Sequence, residues 1–585
     1  MILRRRNPRP RLNAALVVIA VVLSLFAGRL IQMQGLDSAK FQALAERQRT
    51  QTVPIPAVRG TITSSNGTVL ALTVQTDLVA ADPQDIPRTA RSQVASELAG
   101  PLAMPAAAIL SLLNNPPAGP EYVILKKGVS ATTAQRIANL ELPGISLDPS
   151  YKRSYPSGDL AASVVGFTDV SDSGDLTGEA GVEQRYNSVL AGRDGSQEVE
   201  MSNAGVPIPL TDTKLKPAVP ARNLRLTIQS SIQYEAEKQC QAEVKLAHAR
   251  NCSVTVMQPG TGKILAMAQY PTFNPARPAS LAATRNIATD NVFAPGSTLK
   301  PITVAAALEK GGQTPMTTYT VPDHINVHGF NFHDAEPHPT RKYTVAGILA
   351  YSSNDGMVQV VQHVTPLQQY DYLRAFGLDS PSGLGLAGES SGLLAKPGTK
   401  NYWNDEPYEL SFGQGIGVTA IQMASVYATI ANGGVRVAPS LVAGTTSASG
   451  KYTPAAPSKQ RRVISAKTAG QLMTILQQVP NVDAAQYEPW GLIAGYSVAS
   501  KTGTAQVTGP RVGSCLCQYG SSYIGIAPAQ NPRLVVAVNI QDPKKGYYGD
   551  QIAGPVFYHV MKFALQTLKI PPTGAKPPHI RLTRP

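Results

Sequence analysis

Cysteine is scarce in this chain, with four in 585 residues, and so low a density excludes a small scaffold stapled by disulfides. Charge is thin as well: Asp, Glu, Lys and Arg supply 15% of the residues. No stretch interleaves basic with aromatic residues, so the net charge of +14 does not read as a nucleic-acid footprint. Much of that surplus sits at the two ends. Arg4, Arg5, Arg6, Arg9 and Arg11 crowd the N-terminus, and Lys576, Arg581 and Arg584 follow residue 570. Residues 50–225 hold neither a glycine loop for phosphate nor a metal-ligand spacing, and no internal repeat emerges. Gly (49) and Pro (47) together make up about one residue in six, short of a fibrous or disordered composition.

What is present organises a chain long enough for roughly two to four domains. Residues 12–31, LNAALVVIAVVLSLFAGRLI, follow directly on the arginine run. This window is just long enough for a hydrocarbon core of ~30 Å. Basic residues ahead of it predict a cytoplasmic N-terminus and an exported remainder. No small-x-small cleavage site precedes a polar mature start, and QMQGLDSAKFQALAERQR reads as a helix continuing outward. An uncleaved anchor is therefore expected in place of a signal peptide. Export permits a bridge between Cys240 and Cys252, although burial of each as a small hydrophobe fits equally well. A zinc site joining them to Cys515-x-Cys517 would combine mismatched spacings.

The segments divide as follows: a basic tail at 1–11, the anchor at 12–31, a mixed α+β pedestal at 32–225, a sheet-centred domain at 226–569, and a tail at 570–585. In the pedestal, TVLALTV (68–74), DLVAADP (77–83) and YVILKKGV (122–129) read as strands, and TAQRIANL (133–140) as a helix. RNLRLTIQSSIQ (222–233) predicts an alternating strand followed by a helix through Lys245. NCSVTVMQP and GKILAMAQYP predict a hairpin turning at Gly260–Gly262. Helices are expected at 344–363, 419–431 and near 552–568, with strands at 496–499, 521–528 and 533–541. Residues 445–462 read as a solvated loop. Five prolines in the last fifteen residues predict an extended or disordered tail.

One constellation carries chemistry. Pro295-Gly296 turns the chain into Ser297-x-x-Lys300, where a helix starts and puts hydroxyl and amine one turn apart on one face. A lysine there can take the serine proton once burial or nearby charge lowers its pKa. Free N–H groups at the helix start suit a developing oxyanion. Downstream, Ser352-x-Asn354 falls between two helical stretches. Lys501-Thr502-Gly503-Thr504 then reads as an edge strand, whose glycine admits a bound backbone and whose polar groups suit a carboxylate. Ser-x-x-Lys, Ser-x-Asn and Lys-Thr-Gly together form the signature set of serine acyl enzymes that react with penicillin.

The sequence resembles the class B high-molecular-weight penicillin-binding proteins, the monofunctional peptidoglycan D,D-transpeptidases, over residues 12–569. FAPGSTLKPIT (293–303), SSN (352–354), SFGQGIGVTAIQMASVYATIANGG (411–434), SKTGTAQ (500–506) and YYGDQIAGPVF (547–557) carry the likeness. RGTI (59–62), SYPSGDLAASVVGF (154–167) and GEAGVEQRYNSVLAG (178–192) resemble the pedestal signatures. No segment resembles a glycosyltransferase domain, which disfavours class A. The resemblance implies a penicillin-binding, serine β-lactamase-like domain: a central antiparallel sheet flanked by helices, needing no cofactor.

The same resemblance assigns roles. Ser297 would be the acylated nucleophile and Lys300 its general base. Ser352 would relay protons to the leaving amine, and Asn354 would hold the donor peptide amide. Lys501 would support the proton network, and Thr502, Gly503 and Thr504 would bind the substrate carboxylate and backbone. The N–H groups of Ser297 and Thr504 would form an oxyanion hole. Implied partners are peptidoglycan stem peptides, β-lactams, the cell membrane, a lipid II polymerase and divisome or elongasome proteins. Septal synthesis is slightly favoured over elongation, and the Ala/Val/Gly/Pro bias suits an actinobacterium. A D,D-carboxypeptidase and a catalytically weak scaffold are the rival readings.

Departures from the family pattern are Ser500, where glycine commonly precedes KTG, Ser64-Ser65 after RGTI, the segment NVDAAQYEPWGLIAGY, and the insert at 509–520. His324, His328, His333 and His338 lie among Asp323, Asp334 and Glu336. Such a mixture invites a metal, but spacings of four, five and five define no common face, so a surface loop is expected. Asp169, Asp172, Asp175 and Glu179 lack the EF-hand positions and read as solvated.

Overall fold

The computed structural model describes residues 9–41, 50–117, 119, 121–170, 176–200, 214–507 and 518–585. They fall into two compact units, residues 1–57 with 192–220, and residues 58–191 with 221–585. In the first unit, helix α1 (Arg9–Ile31) buries no side chain, and residues 9–35 are long and apolar enough to cross a membrane. An antiparallel sheet joins Thr50–Ile55 to Gly195–Glu200 and then to Lys214–Lys216.

The second unit has near its start a long strand, Val69–Ala81, paired antiparallel with Ile145–Ser154 and Val123–Val129. Helices at 91–102, 106–114 and 131–138 close a core of Val79, Leu98, Leu102, Ile109, Leu113 and Ile137. The pedestal signatures converge on one buried ion cluster. Arg59 and Arg153 grip opposite oxygens of Glu183, each at 2.7 Å, and Arg59 also donates to Asn187 Oδ1 at 2.6 Å. Ser64 and Ser65, the first departure, build a turn: Thr68 N donates to Ser64 Oγ, and Ser65 Oγ donates to Gln229 Oε1. Strand Asn223–Leu226 then pairs with Ile62–Thr63 on one side and Val442–Thr446 on the other, so one sheet spans both halves of the sequence.

Helix α2 (Ser230–Ala247) leads to β1 (Asn251–Met257) and β2 (Ile264–Tyr270), the predicted hairpin. A Cys240–Cys252 disulfide ties α2 to β1, deciding a pairing that the sequence left open. Cys515 and Cys517 lie outside the described residues. Next come α3 (Lys300–Lys310), β3 (Arg341–Thr344), α4 (Val345–Ala350), α5 (Asn354–Val361), α6 (Glu406–Phe412) and α7 (Ala420–Ala431). A capping box starts α7: Thr419 accepts from Gln422 N, and the Gln422 side chain accepts from Thr419 N. Helix α8 (Val479–Gln486) precedes β4 (Ala499–Val507), β5 (Gln518–Ala527) and β6 (Leu534–Gln541). Helix α9 (Gly549–Thr567) and β7 (Thr583–Arg584) finish the chain.

The central sheet is antiparallel in the order β2-β1-β6-β5-β4. Strand β6 shows why it is buried on both faces. Leu534, Val536, Val538 and Ile540 join the core under α2 and α9, while Val535 and Ala537 join the core around α7. Two expectations need correction. Residues 445–462 are not a free loop: Tyr452–Pro454 and Gln460–Arg462 pair with neighbouring strand edges, which satisfies their backbone groups. The proline-rich tail is extended as expected, but its β7 pairs with β3.

Candidate active site

Ser297 occupies a 3-10 turn, Gly296–Leu299, and the α-helix proper begins only at Lys300. The sequence had placed the serine in the first α-helical turn. Gly296 at φ 55° tightens the approach instead, and Thr298 Oγ1 donates back to Pro295 O at 2.8 Å. Pro301 stands in the first turn of α3, where no intrahelical bond needs its N–H.

Lys300 is completely buried. Its Nζ donates to Ser352 O, to Asn354 Oδ1 at 2.8 Å and to Ser352 Oγ at 3.4 Å. Lys501, equally buried, donates to Ser352 Oγ at 2.9 Å and to Thr502 O at 3.2 Å. Two lysine side chains thus meet on one serine, although Lys300 and Lys501 are 201 positions apart in the chain. The Ser297 side chain makes no hydrogen bond among the described residues.

Strand β4 is the sheet edge, so its outer side faces the nucleophile turn. Gly503 explains how closely they approach: a Cβ there would stand 2.8 Å from Pro295 O and 2.9 Å from Thr298 Cγ2. Thr504 Oγ1 accepts from Gly549 N at 3.0 Å, which ties the strand to the start of α9. Ser297, Ser352, Asn354, Thr502 and Thr504 all line one cavity of about 810 Å³. Every residue singled out by the three motifs is therefore in the cavity wall or directly beneath it.

The Ser-x-Asn loop is held in a conformation that it would not adopt alone. Ser352 has φ 61°, a left-handed geometry that is costly for a residue with a Cβ. Asp334 holds the loop. Its Oδ1 accepts from the N–H groups of Asn354 and, at 3.1 Å, Asp355; its Oδ2 accepts from Ser353 Oγ at 2.7 Å. His338 Nε2 lies 2.8 Å from the same Oδ2, and Asn354 Nδ2 donates to His333 O at 3.1 Å.

This accounts for the histidine-rich segment. It folds as a hairpin, His324–Val327 against Phe330–His333, followed by a run along the cavity wall. His324 pairs with Asp323 at 2.8 Å, and His328 stacks near Tyr408 at the turn. No group of three or more metal-ligating side chains gathers among the described residues. The segment is a groove wall more than the plain surface loop expected.

Burial sets the electrostatics. Desolvation, with the Lys501 cation adding to it, pulls Lys300 well below the ordinary lysine value, while Asp334 and Asp355 pull the other way. Burial brings Lys501 down to about 8, opposed by the carboxylate of Asp483. Asp355 and Asp483 are themselves pushed up to about 7 by burial. Both oxygens of Asp355 lack a hydrogen-bond partner among the described residues. The arrangement can keep one buried amine near neutrality beside a serine hydroxyl, with a second buried lysine on that same hydroxyl.

Comparison with known proteins matches this geometry. The family description "Penicillin binding protein transpeptidase domain" matches residues 252–562, and "Penicillin-binding Protein dimerisation domain" matches residues 54–226. The chain belongs to the penicillin-binding proteins. Among its relatives, PbpB of Mycolicibacterium smegmatis is 32% identical, covering 95% of this chain and 90% of that protein. Peptidoglycan D,D-transpeptidase FtsI of Escherichia coli is 31% identical, over 95% and 91%. A crystal structure of a peptidoglycan synthetase from Bifidobacterium adolescentis superposes with a TM-score of 0.74 at 30% identity, covering 92% of this chain and 100% of that one. Penicillin binding protein 3 from Mycobacterium tuberculosis, complexed with aztreonam, gives a TM-score of 0.68 at 29% identity, over 91% and 100%. These are class B proteins, as the motifs had implied.

In this penicillin-binding protein, sequence reasoning missed three buried carboxyls. Asp334 was grouped with metal candidates, whereas its bonds go to the Ser-x-Asn loop. Asp355 follows Asn354 directly, and its polar side chain at the start of an apolar helix was the available signal. Asp483 belonged to the segment before KTG that fitted no pattern. Ser500, another departure, is fully buried and lies 3.2 Å from the Tyr523 hydroxyl, away from the cavity lining.

Proposed function

We propose that this protein is a peptidoglycan D,D-transpeptidase acting through an acyl-enzyme on Ser297. The observation that carries it is the network joining Lys300, Ser352, Asn354 and Lys501 under one cavity, with Ser297 and Thr504 in its lining. Neutral Lys300 takes the Ser297 proton as Oγ attacks the penultimate D-alanyl carbonyl. The proton passes through Ser352, with Lys501 beside it, to the leaving nitrogen of terminal D-alanine. A neighbouring stem-peptide amine then attacks the ester, loses a proton to the same network, and frees the serine. Asn354 orients the donor amide, Thr502 and Thr504 bind its carboxylate, and the N–H groups of Ser297 and Thr504 hold the oxyanion. A β-lactam enters the same path but leaves an acyl group that departs slowly.

The finer assignments extend this reading. Residues 12–31 anchor the chain in the cell membrane with the N-terminus cytoplasmic, residues 32–225 form the pedestal, and 226–569 form the catalytic domain. The likeness to PbpB and FtsI favours a septal role, and a lipid II polymerase is the partner proposed for it. Intact mass after incubation with a fluorescent penicillin tests the chemistry. One adduct per chain is expected, absent in Ser297→Ala. A folded parent protein that gains no mass defeats the reading.

A further inference from the structure

The chain after α9 lies beyond the matched transpeptidase domain, which ends at residue 562. It is nevertheless fastened along its length. Ile570 O accepts from the Tyr496 hydroxyl at 2.6 Å, Gly574 N donates to Gly495 O at 3.1 Å, and Pro578 O accepts from Gln478 Nε2 at 2.7 Å. Ile580 and Leu582 pack against the larger core, and β7 adds to β3 as an antiparallel strand.

The far end of this segment meets the element that leads into Ser352. Thr344 N donates to Leu582 O at 3.0 Å, and Thr344 Oγ1 donates to Arg581 O at 2.8 Å. That same oxygen caps α4 by accepting from Gly347 N at 3.0 Å. A Cβ on Gly347 would stand 2.0 Å from Leu582 O, so the tail backbone rests directly on the helix. Helix α4 has six residues, and its last residue is two positions before Ser352. The loop is in turn bonded to this helix, since Tyr351 N donates to Gly347 O at 2.8 Å and Ser353 N donates to Ile348 O at 3.0 Å.

We infer that residues 577–585 are a positioning segment of the active site. Docked on β3 and α4, they set the height of Ser352 and Asn354 and thereby the contacts of Lys300 and Lys501. The inference rests on the acyl-enzyme reading above. It also gives the proline-rich composition a purpose: proline restricts the free segment, so less conformational entropy is lost on docking.

The test uses the full-length protein in detergent, a chain ending at Lys576, and full-length Leu582→Asp. Stopped-flow reaction with a fluorescent penicillin separates the dissociation constant from the acylation rate constant. Since a misplacement of about 1 Å can cost on the order of 100-fold, both variants should acylate about tenfold or more slowly. Their dissociation constants should stay near the parent value, and a peptide of residues 577–585 should restore the shortened chain. Equal acylation rate constants in all three proteins overturn the inference. So does a loss confined to the unfolded fraction, with the folded remainder reacting at the parent rate. A parent protein that forms no adduct strikes the acyl-enzyme reading instead.

Discussion

Two clusters of buried charge in the same compact unit are built to opposite ends. In the pedestal half, Glu183 receives a guanidinium on each oxygen, and Arg59 reaches further acceptors at Asn187 Oδ1, Leu176 O and Glu183 O. Under the cavity, Lys300 meets a carbonyl, a hydroxyl and an amide, with no carboxylate within ion-pair distance among the described residues. Charge that is paired at contact stays charged and locks structure. Charge that is buried against neutral dipoles is driven toward its neutral form, which is what a general base requires. The lesson is that burial alone does not mark a catalytic lysine; the absence of a contacting counter-ion does.

Lys300→Met tests the contrast most severely. An apolar chain of similar length should lower the acylation rate constant by a thousandfold or so, within the range for a lost acid–base group. Because no ion pair is broken and the lost bonds go to neutral acceptors, thermal denaturation should show a smaller loss of stability than the loss of an ion pair would. A rate within a few-fold of the parent would remove Lys300 from the mechanism. Glu183→Gln should do the reverse, costing about 3–5 kcal/mol by leaving two buried guanidiniums poorly paired. Urea denaturation reads that cost, and the surviving folded protein should acylate at the parent rate.

Asp334 stands between the two kinds of site, a carboxylate whose bonds are structural but whose target is catalytic. Asp334→Ala should slow acylation by about ten- to a hundredfold with little change in penicillin affinity, because the 353–355 segment loses its anchor and the groups beside Ser352 shift. Asp334→Asn keeps an acceptor oxygen for the two N–H groups and should recover most of the rate. Equal losses in both variants would show that its charge, not its grip, matters.

The smallest expected effect is on pH. Acylation needs Lys300 neutral, so its rate constant rises as that group loses its proton. It should fall again above a pH of about 8, as Lys501 becomes neutral and stops supporting the network. Asp355→Asn removes a negative charge that favours protonated Lys300, so the acidic limb should move to lower pH. Rate constants across the pH range, fitted for both limbs, check the sign; a shift to higher pH would contradict it.

The three motifs, the anchor-length helix, the hairpin at 251–270 and the edge position of Lys501 were all legible in the letters. Each is a local statement: a residue spacing, a period of two or a run of apolar side chains answers to neighbours a few positions away. Expectations failed where distant chain segments meet. Residues 445–462 are largely exposed, as expected, but they are not a plain loop, because Gln460–Arg462 pairs with Val435–Val437 on the far side of the intervening hairpin. Asp334 read as part of a surface loop because its partners, at 353–355, come only after β3 and α4.

The sequence by itself determined the reaction class, because nucleophile, base and carboxylate-binding strand are fixed residue types at readable intervals. Only the tertiary structure decided how they are tuned. Burial depth and the distance to a counter-charge set the state of Lys300, while the strained turn at Ser352 persists because Asp334 and the docked tail hold it. Such quantities depend on what packs from afar, and no local window of sequence contains them.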